Sequence, residues 1–236
     1  MKKNRIISSN WVVTLTTTLI GVFGALILNE WISSYHIKGQ KTIATQNILL
    51  ELETNESTVK ENLEKHKALF GILEFLMENR KDDGRLITDV RTMTEFKSNF
   101  PEVFVVEDST LLSNGLYHYT GDLSLNFDVS YMNLTNIAYE TLKSSSLNSS
   151  FDFNCLMMLE KITKLSDETL KREKKVLDLF FNTNGYGGEE YEENYEENLL
   201  TELRFLIEYE NILIEGFEAT RESWKNCNSG DSPELE

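Results

Sequence analysis

The sequence predicts an all-α protein in which an N-terminal transmembrane helix continues into a bundle of long antiparallel helices. Three observations predict this class: an uncharged apolar run near the N-terminus, apolar residues at helical spacing in three later segments, and only 2 prolines among 236 residues. Proline breaks helices, so its scarcity favours long ones. The predicted division is a basic tail at 1–10, a transmembrane helix at 11–31, a helical bundle at 32–226 and a disordered tail at 227–236.

The apolar run begins at Trp11 and has no charged residue for 18 positions. As a helix it would rise about 27 Å, close to the ~30 Å hydrocarbon core of a bilayer. Trp11 and Trp31 bracket it, and tryptophan rings favour the membrane interface. A buried core helix and a cleaved signal peptide are the alternatives. The run exceeds a typical signal-peptide core of about 7–15 residues, and no small-residue cleavage site follows it, which favours a membrane span.

Basic residues near the ends of the run predict its orientation. Lys2, Lys3 and Arg5 precede it closely, whereas Lys38 and Lys41 follow at a greater distance. Because lysine and arginine are enriched on the cytoplasmic side, the N-terminus is predicted to be cytoplasmic. The prediction is therefore a single-pass inner (cell) membrane protein with a periplasmic C-terminal domain.

Small residues within the run predict association of membrane helices. Thr17, Gly21 and Ala25 are spaced four apart, which places them on one helix face where a second helix could approach closely. The alternative is chance placement in a threonine-rich segment. Association would make the chain a homo-oligomer or join it to another membrane protein.

Charge limits the classes of partner. The chain has 39 acidic and 23 basic residues, for a net charge of −16. Nucleic-acid binding requires neutralisation of phosphates by basic residues, so no nucleic-acid partner is predicted. The predicted partners are the lipid bilayer and another copy of the chain or a membrane protein.

Helical periodicity continues beyond the membrane run. One long helix, or two nearly continuous ones, is predicted to end near Arg80, and a short helix is predicted at 86–98. Further helices are predicted at 151–182 and 195–225. The glycine-containing stretch between the last two predicts an antiparallel pair.

One segment departs from the helical pattern. Apolar and polar residues alternate between positions 116 and 129, around Thr120-Gly121-Asp122. This alternation indicates a short β-hairpin turning at these three residues, although packed loops could give the same pattern.

The two cysteines are predicted to lie at the same end of the bundle. Reflecting Cys155 through the loop of the antiparallel pair places it about one helical turn from Cys227. In an oxidising compartment the two could form a disulfide that closes a loop of roughly 70 residues. The alternative is a Cys155 buried as a small apolar residue and an unrelated Cys227 in the tail.

No catalytic or metal-binding pattern is present in the sequence. His36, His66 and His118 belong to no HExxH pair and to no nucleophile motif. The prediction is a protein that is not an enzyme and that has no cofactor, no metal site and no catalytic residue. These histidines are expected to be solvated or to lie at interfaces.

The segment NIAYETLKSS is the strongest sequence candidate for a binding cleft. Tyr139, Glu140 and Lys143 could line such a cleft. The alternative is that Ile137, Ala138 and Leu142 pack in the bundle while the polar residues face water.

Two motifs carry a resemblance to a family. The first is Asn29-Glu30-Trp31 at the end of the apolar run, and the second is AYETLKSS at 138–145. Together they resemble a widespread family of short single-pass membrane proteins of unknown function from Bacteroidota. Ser146 stands where that family usually has glycine. The resemblance implies an inner-membrane protein. It implies no activity, because the function of that family is unknown.

These observations lead to two functional hypotheses. The first is a membrane-anchored helical scaffold or partner-binding protein. The alternative is an oligomerising membrane effector that forms a pore or disrupts the bilayer, for example in phage defence.

Overall fold

The computed structural model describes residues 6–81, 85–124, 131–183 and 195–227, with side chains described from residue 18 onward. Residues 1–5 of the predicted basic tail and residues 228–236 of the predicted disordered tail lie outside the described part. The side chains of Trp11 and Thr17 also lie outside it.

The described chain is mostly helical, as predicted, but it also contains a small antiparallel sheet. The elements are α1 (Ile6–Asn79), β1 (Leu86–Thr88), α2 (Val90–Asn99), β2 (Phe104–Leu111), β3 (Tyr117–Leu123), α3 (Ile137–Ser144), a 3₁₀ helix (Ser146–Ser150), α4 (Phe153–Thr183) and α5 (Tyr195–Asn226). The all-α prediction is therefore corrected to a helical bundle with an appended three-stranded sheet.

The first helix is continuous over 74 residues and is about 110 Å long. It begins at Ile6, so residues 6–10 belong to the helix rather than to a separate tail. It ends where the amide of Arg80 donates to the carbonyl of Leu76 and Arg80 forms a bridge with Leu86. The described residues include no helix that is long and apolar enough to cross a membrane.

The second half of α1 packs with α4 and α5 in a three-helix bundle. Two ion pairs and one hydrogen-bonded pair join α1 to α5. Residue numbers rise along one helix as they fall along the other, so the two helices are antiparallel. These pairs are Glu56–Arg221, Lys60–Glu218 and His66–Glu210. The core between the helices is apolar and includes Ile48, Leu52, Val59, Leu69, Leu159, Ile162, Leu203, Leu206, Leu213 and Phe217.

The sheet has the strand order β1-β3-β2 and packs with α2 against the end of α1. The rings of Phe75 and Phe96 stack there with centroids 3.8 Å apart. The short helix predicted at 86–98 is thus shifted, because Leu86–Thr88 pairs with β3 as a strand. Asp89 then caps α2 by accepting a hydrogen bond from the amide of Thr92 at 3.0 Å.

The hairpin predicted within 116–129 exists, but it spans Phe104–Leu123 and turns elsewhere. Its turn lies between Leu111 and Tyr117 and uses Gly115, whose φ of 83° suits glycine. Gly121, predicted in the turn, lies inside β3 opposite a bulge in β2. A Cβ at Gly121 would lie 2.0 Å from the carbonyl oxygen of Val105, so close strand approach rather than turning explains this glycine. Residues 125–129 of the predicted range lie outside the described part.

Candidate functional site

A groove of about 590 Å³ runs between α3 and residues 40–54 of α1. Its rim is formed by Ile43, Leu50 and Ile137, whose side chains are 59%, 64% and 70% exposed. Contiguous exposed apolar surface of this kind marks interaction sites in proteins. The groove is therefore the candidate binding surface of the bundle.

Polar side chains of α1 hold α3 in place beside the groove. The carboxylate of Glu51 accepts hydrogen bonds from the amides of Ala138 at 2.8 Å and Tyr139 at 3.4 Å, in the first turn of α3. One turn along α1, Asn55 donates to the carbonyl of Thr135 at 2.7 Å and accepts from its amide at 3.0 Å. The wall of the groove is thus fixed by helix-capping chemistry rather than by apolar contact alone.

The segment predicted as a cleft does form part of the groove, but with different residues. Ile137, Ala138 and Leu142 line it, whereas Glu140 and Lys143 do not. The Tyr139 side chain does not line the groove. It is buried and borders a smaller cavity of about 160 Å³ inside the bundle. Burial raises the pKa of the Tyr139 hydroxyl. The groove therefore offers mainly apolar contacts to a partner.

The first half of α1 projects away from the bundle. In this projecting segment, residues 18–40, every residue except the half-buried Gly24 is exposed. The exposed side chains include many large apolar ones: Leu19, Ile20, Val22, Phe23, Leu26, Ile27, Leu28, Trp31, Ile32, Tyr35 and Ile37. The segment leads directly into the groove, so the two form one continuous exposed surface along α1.

The predicted membrane-helix residues lie on this projecting segment or just before it. A Cβ added at Gly21 would have open space within 4 Å, and Ala25 is exposed. Trp31 is also exposed. The structure therefore leaves the described part of the predicted association face uncovered, and association itself stays a prediction.

A cluster of titratable side chains lies inside the bundle, contributed by α1, α4 and α5. His66 Nδ1 is 2.7 Å from Oε1 of Glu210, and Oε1 of Glu173 accepts the amide of Met132 at 2.8 Å. All three side chains are buried. The expectation that the histidines are solvated or at interfaces is therefore wrong for His66.

Burial dominates the electrostatics of this cluster. It raises the pKa of both Glu173 and Glu210, while His66 partly opposes the shift. The Oε2 atoms of both carboxyl groups are buried without a hydrogen-bond partner in the described part of the chain. These three residues line neither the groove nor the smaller cavity, so a substrate could not reach them through either one.

Sequence reasoning missed this cluster because its members are far apart in the chain. One signal was present, since Glu210 falls on the same helical stripe as Leu206, Leu213 and Phe217. A charged residue on an apolar stripe predicts a buried partner. The sequence does not indicate which residue that partner is.

The structure brings together Cys155, near the start of α4, and Cys227, just after α5. Their sulfur atoms form a disulfide, and their Cα atoms are 6.3 Å apart. The bond joins the two ends of the α4–α5 hairpin farthest from its connecting loop.

The described residues include no group of three or more His, Cys, Asp or Glu side chains placed to hold a metal ion. Comparisons with known proteins found no matching family model, no matching curated protein and no matching solved structure. The resemblance to the Bacteroidota membrane family therefore stays a prediction, as does the absence of enzymatic activity.

Proposed function

We propose that this protein is a membrane-anchored helical scaffold that binds a partner through the groove of its bundle. The observation that carries the proposal is the projecting segment, where the large apolar side chains named above are exposed while the bundle buries its own apolar core. The proposed anchor comprises residues 11–31, and the bundle begins beyond it.

The exposed apolar surface gives the energetic reason for an anchor. Full burial of a large apolar side chain stabilises by about 1.5–3 kcal/mol. Seven such residues lie between Leu19 and Leu28, so their transfer into lipid amounts to roughly 10–20 kcal/mol before ordering costs. Backbone polar groups add little cost, because a helix satisfies them internally.

Two features support an outward-facing bundle. Lys2, Lys3 and Arg5 are the basic residues nearest to the N-terminal end of the anchor. The disulfide between Cys155 and Cys227 is of a kind that persists in oxidising compartments such as the periplasm. Both favour a cytoplasmic N-terminus and a periplasmic bundle.

The continuous α1 helix would fix the height of the groove above the membrane. Gln40, where the groove begins, is nine positions after Trp31 at the end of the proposed anchor, which corresponds to about 14 Å of helix. A rigid spacer of this length would present the groove to a partner anchored in the same membrane or lying near its surface.

A second candidate function is an oligomerising membrane effector that forms a pore or disrupts the bilayer. The open space around Gly21 favours it, because a second helix could approach this face without steric hindrance. This function would act through the anchor rather than through the groove.

Reporter fusions test the proposed anchoring and topology. Alkaline phosphatase and green fluorescent protein are fused separately to the C-terminus of the full chain, and membranes are separated from soluble protein. The proposal predicts phosphatase activity in the membrane fraction and no fluorescence. Fluorescent soluble protein without phosphatase activity would contradict it.

Dye release distinguishes the two functions. The purified full chain is added to vesicles loaded with a self-quenching dye. A scaffold leaves the dye inside, whereas an effector releases it, and Gly21→Leu would then reduce the release.

A further inference from the structure

We propose that the groove is the docking site for a second copy of this chain, with the two α1 helices parallel and in register. This proposal rests on the proposed function, because two copies anchored in the same membrane would have parallel α1 helices. Three observations on the outer face of α1 carry it: residue spacing, charge and alignment with the anchor.

Ala44 and Glu51 line the groove and are half-buried. The exposed α1 residues that line the groove follow a heptad pattern. They are alternately three and four residues apart and are all exposed: Gln40, Ile43, Asn47, Leu50 and Thr54. This spacing is that of the a and d positions of a two-stranded coiled coil. The neighbouring stripe, which includes Ile48, Leu52 and Val59, already packs in the bundle. The groove stripe is therefore a second helical seam without a partner among the described residues of the chain.

The residue types at the seam favour a dimer in register. Ile43 and Leu50 occupy the d positions, and Asn47 occupies the a position between them. Gln40 and Thr54 occupy the other a positions. An asparagine at an a position pairs well with the same residue opposite, which an in-register dimer provides. A shift of three or four residues would bury the Asn47 amide against Leu50 or Ile43, whereas a shift of one heptad would place it opposite Thr54 or Gln40.

Charge also favours a second copy at this surface. The chain carries a net charge of −16, so most pairings of its own surfaces would bring like charges together. The groove contains one charged residue, Glu51, and its carboxylate is already bound to the amides of Ala138 and Tyr139. Two acidic copies can therefore meet here without opposing free carboxylates.

The seam is aligned with the proposed association face of the anchor. Ile43 follows Gly21 by about six helical turns and Leu50 follows it by about eight, so the three residues lie on the same side of α1. One two-fold axis along α1 could therefore serve both surfaces. Ile137, on the far wall of each groove, would flank the helix of the second copy.

Cysteine crosslinking of the full chain in native membranes tests the proposal. Leu50→Cys places a thiol at the seam, where a parallel in-register dimer brings the two copies within the ~7 Å Cα separation that a disulfide requires. Lys38→Cys is the matched control, because it is an exposed position on the opposite side of the same helix. After mild oxidation, non-reducing gels should show at least a fivefold higher dimer fraction for Leu50→Cys. Equal crosslinking at both positions, or none at either, would overturn the proposal.

A second pair of variants separates docking from folding. Ile43→Glu with Leu50→Glu places like charges across the seam, whereas Lys38→Glu changes charge on the opposite side. The double variant should retain its thermal unfolding midpoint and lose the dimer in cross-linking of the membranes with an amine-independent photoreagent. A double variant that remains dimeric overturns the proposal and indicates a different contact. Photo-crosslinking of the groove to another membrane protein, and not to a second copy, also overturns it.

Failure of the anchoring proposal gives a different result. If anchoring fails, the chain is found in the soluble fraction whether or not Leu50→Cys crosslinks. If the docking proposal fails, the chain remains in the membrane and Leu50→Cys crosslinks no more than Lys38→Cys.

Discussion

The two halves of α1 share one continuous backbone, but they differ in which side chains are exposed and which are buried. In the projecting segment, large apolar residues such as Ile20 and Trp31 are exposed. In the bundle half, polar residues such as Asn55, Glu56 and His66 are buried. Neighbouring elements, and not the helix itself, therefore decide which side chains are covered. In the bundle half, Thr135 and α5 supply partners for these buried polar groups, whereas no described element covers the projecting half.

The largest contrast is expected from removal of a leucine side chain in each half. Leu69→Ala leaves a cavity in the main core and should lower the free energy of unfolding by about 2–5 kcal/mol. Leu26→Ala removes an exposed side chain and should change it by less than about 0.5 kcal/mol. Denaturant titration of both variants checks this difference. Equal losses would mean that the projecting segment is packed against the fold.

A histidine in each half provides the next contrast. His66→Ala removes the partner of the buried Glu210 carboxyl group and should cost about 3 kcal/mol. His36→Ala, in the projecting segment, should have little effect on unfolding because His36 is exposed. Thermal unfolding of the two variants distinguishes them, and an unchanged midpoint for His66→Ala would show that the contact between His66 and Glu210 contributes nothing to stability.

The disulfide between Cys155 and Cys227 stabilises the bundle and has no counterpart in the projecting segment. Its loss should lower the free energy of unfolding by about 2–4 kcal/mol, because it closes a long loop in the unfolded chain. Reductant should therefore lower the unfolding midpoint of the natural chain and leave a Cys155→Ser, Cys227→Ser variant unchanged. Thiol counting on the denatured, unreduced protein provides the direct check, and two free thiols would mean that the bond is not formed.

The smallest effect is a gain in stability at Glu173. Burial raises the pKa of this carboxyl group above 4.5, so folding favours its protonated form, and that contribution is lost as the pH rises through the raised pKa. Glu173→Gln keeps the acceptor for the Met132 amide and cannot ionise. It should therefore stabilise the fold by about 1–3 kcal/mol at pH 7 and by less at pH 4. The same gain at both pH values would show that ionisation of Glu173 has no cost.

The comparison also explains which features could be predicted from the sequence. Helical periodicity predicted the long helices well within the bundle, because the bundle half of α1 and the helices α4 and α5 each bury an apolar stripe. It could not predict the turn of the hairpin, since Gly121 is required by a strand contact with Val105 that only the folded chain contains.

The candidate site was only partly predictable for a related reason. The segment around Tyr139 was identified as a cleft, but its wall depends on Glu51, 88 positions earlier in the chain. The second seam of α1 was hidden because two apolar stripes overlap in residues 43–52, and only packing shows which stripe is covered. The cluster of His66, Glu173 and Glu210 could not be predicted either, because it forms only when three helices distant in sequence pack together.

The proposal that lipid covers the projecting half of α1 is tested most directly by alkaline carbonate extraction of cell membranes. The natural full chain is compared with Ile20→Arg/Phe23→Arg, in which each arginine costs about 2.5–3.5 kcal/mol at the centre of a span. Val105→Arg is the matched control, because it adds a charge at an exposed apolar position of the sheet. The natural chain and Val105→Arg should remain in the membrane pellet, and Ile20→Arg/Phe23→Arg should be found in the supernatant. Extraction of the natural chain by carbonate would contradict the proposal.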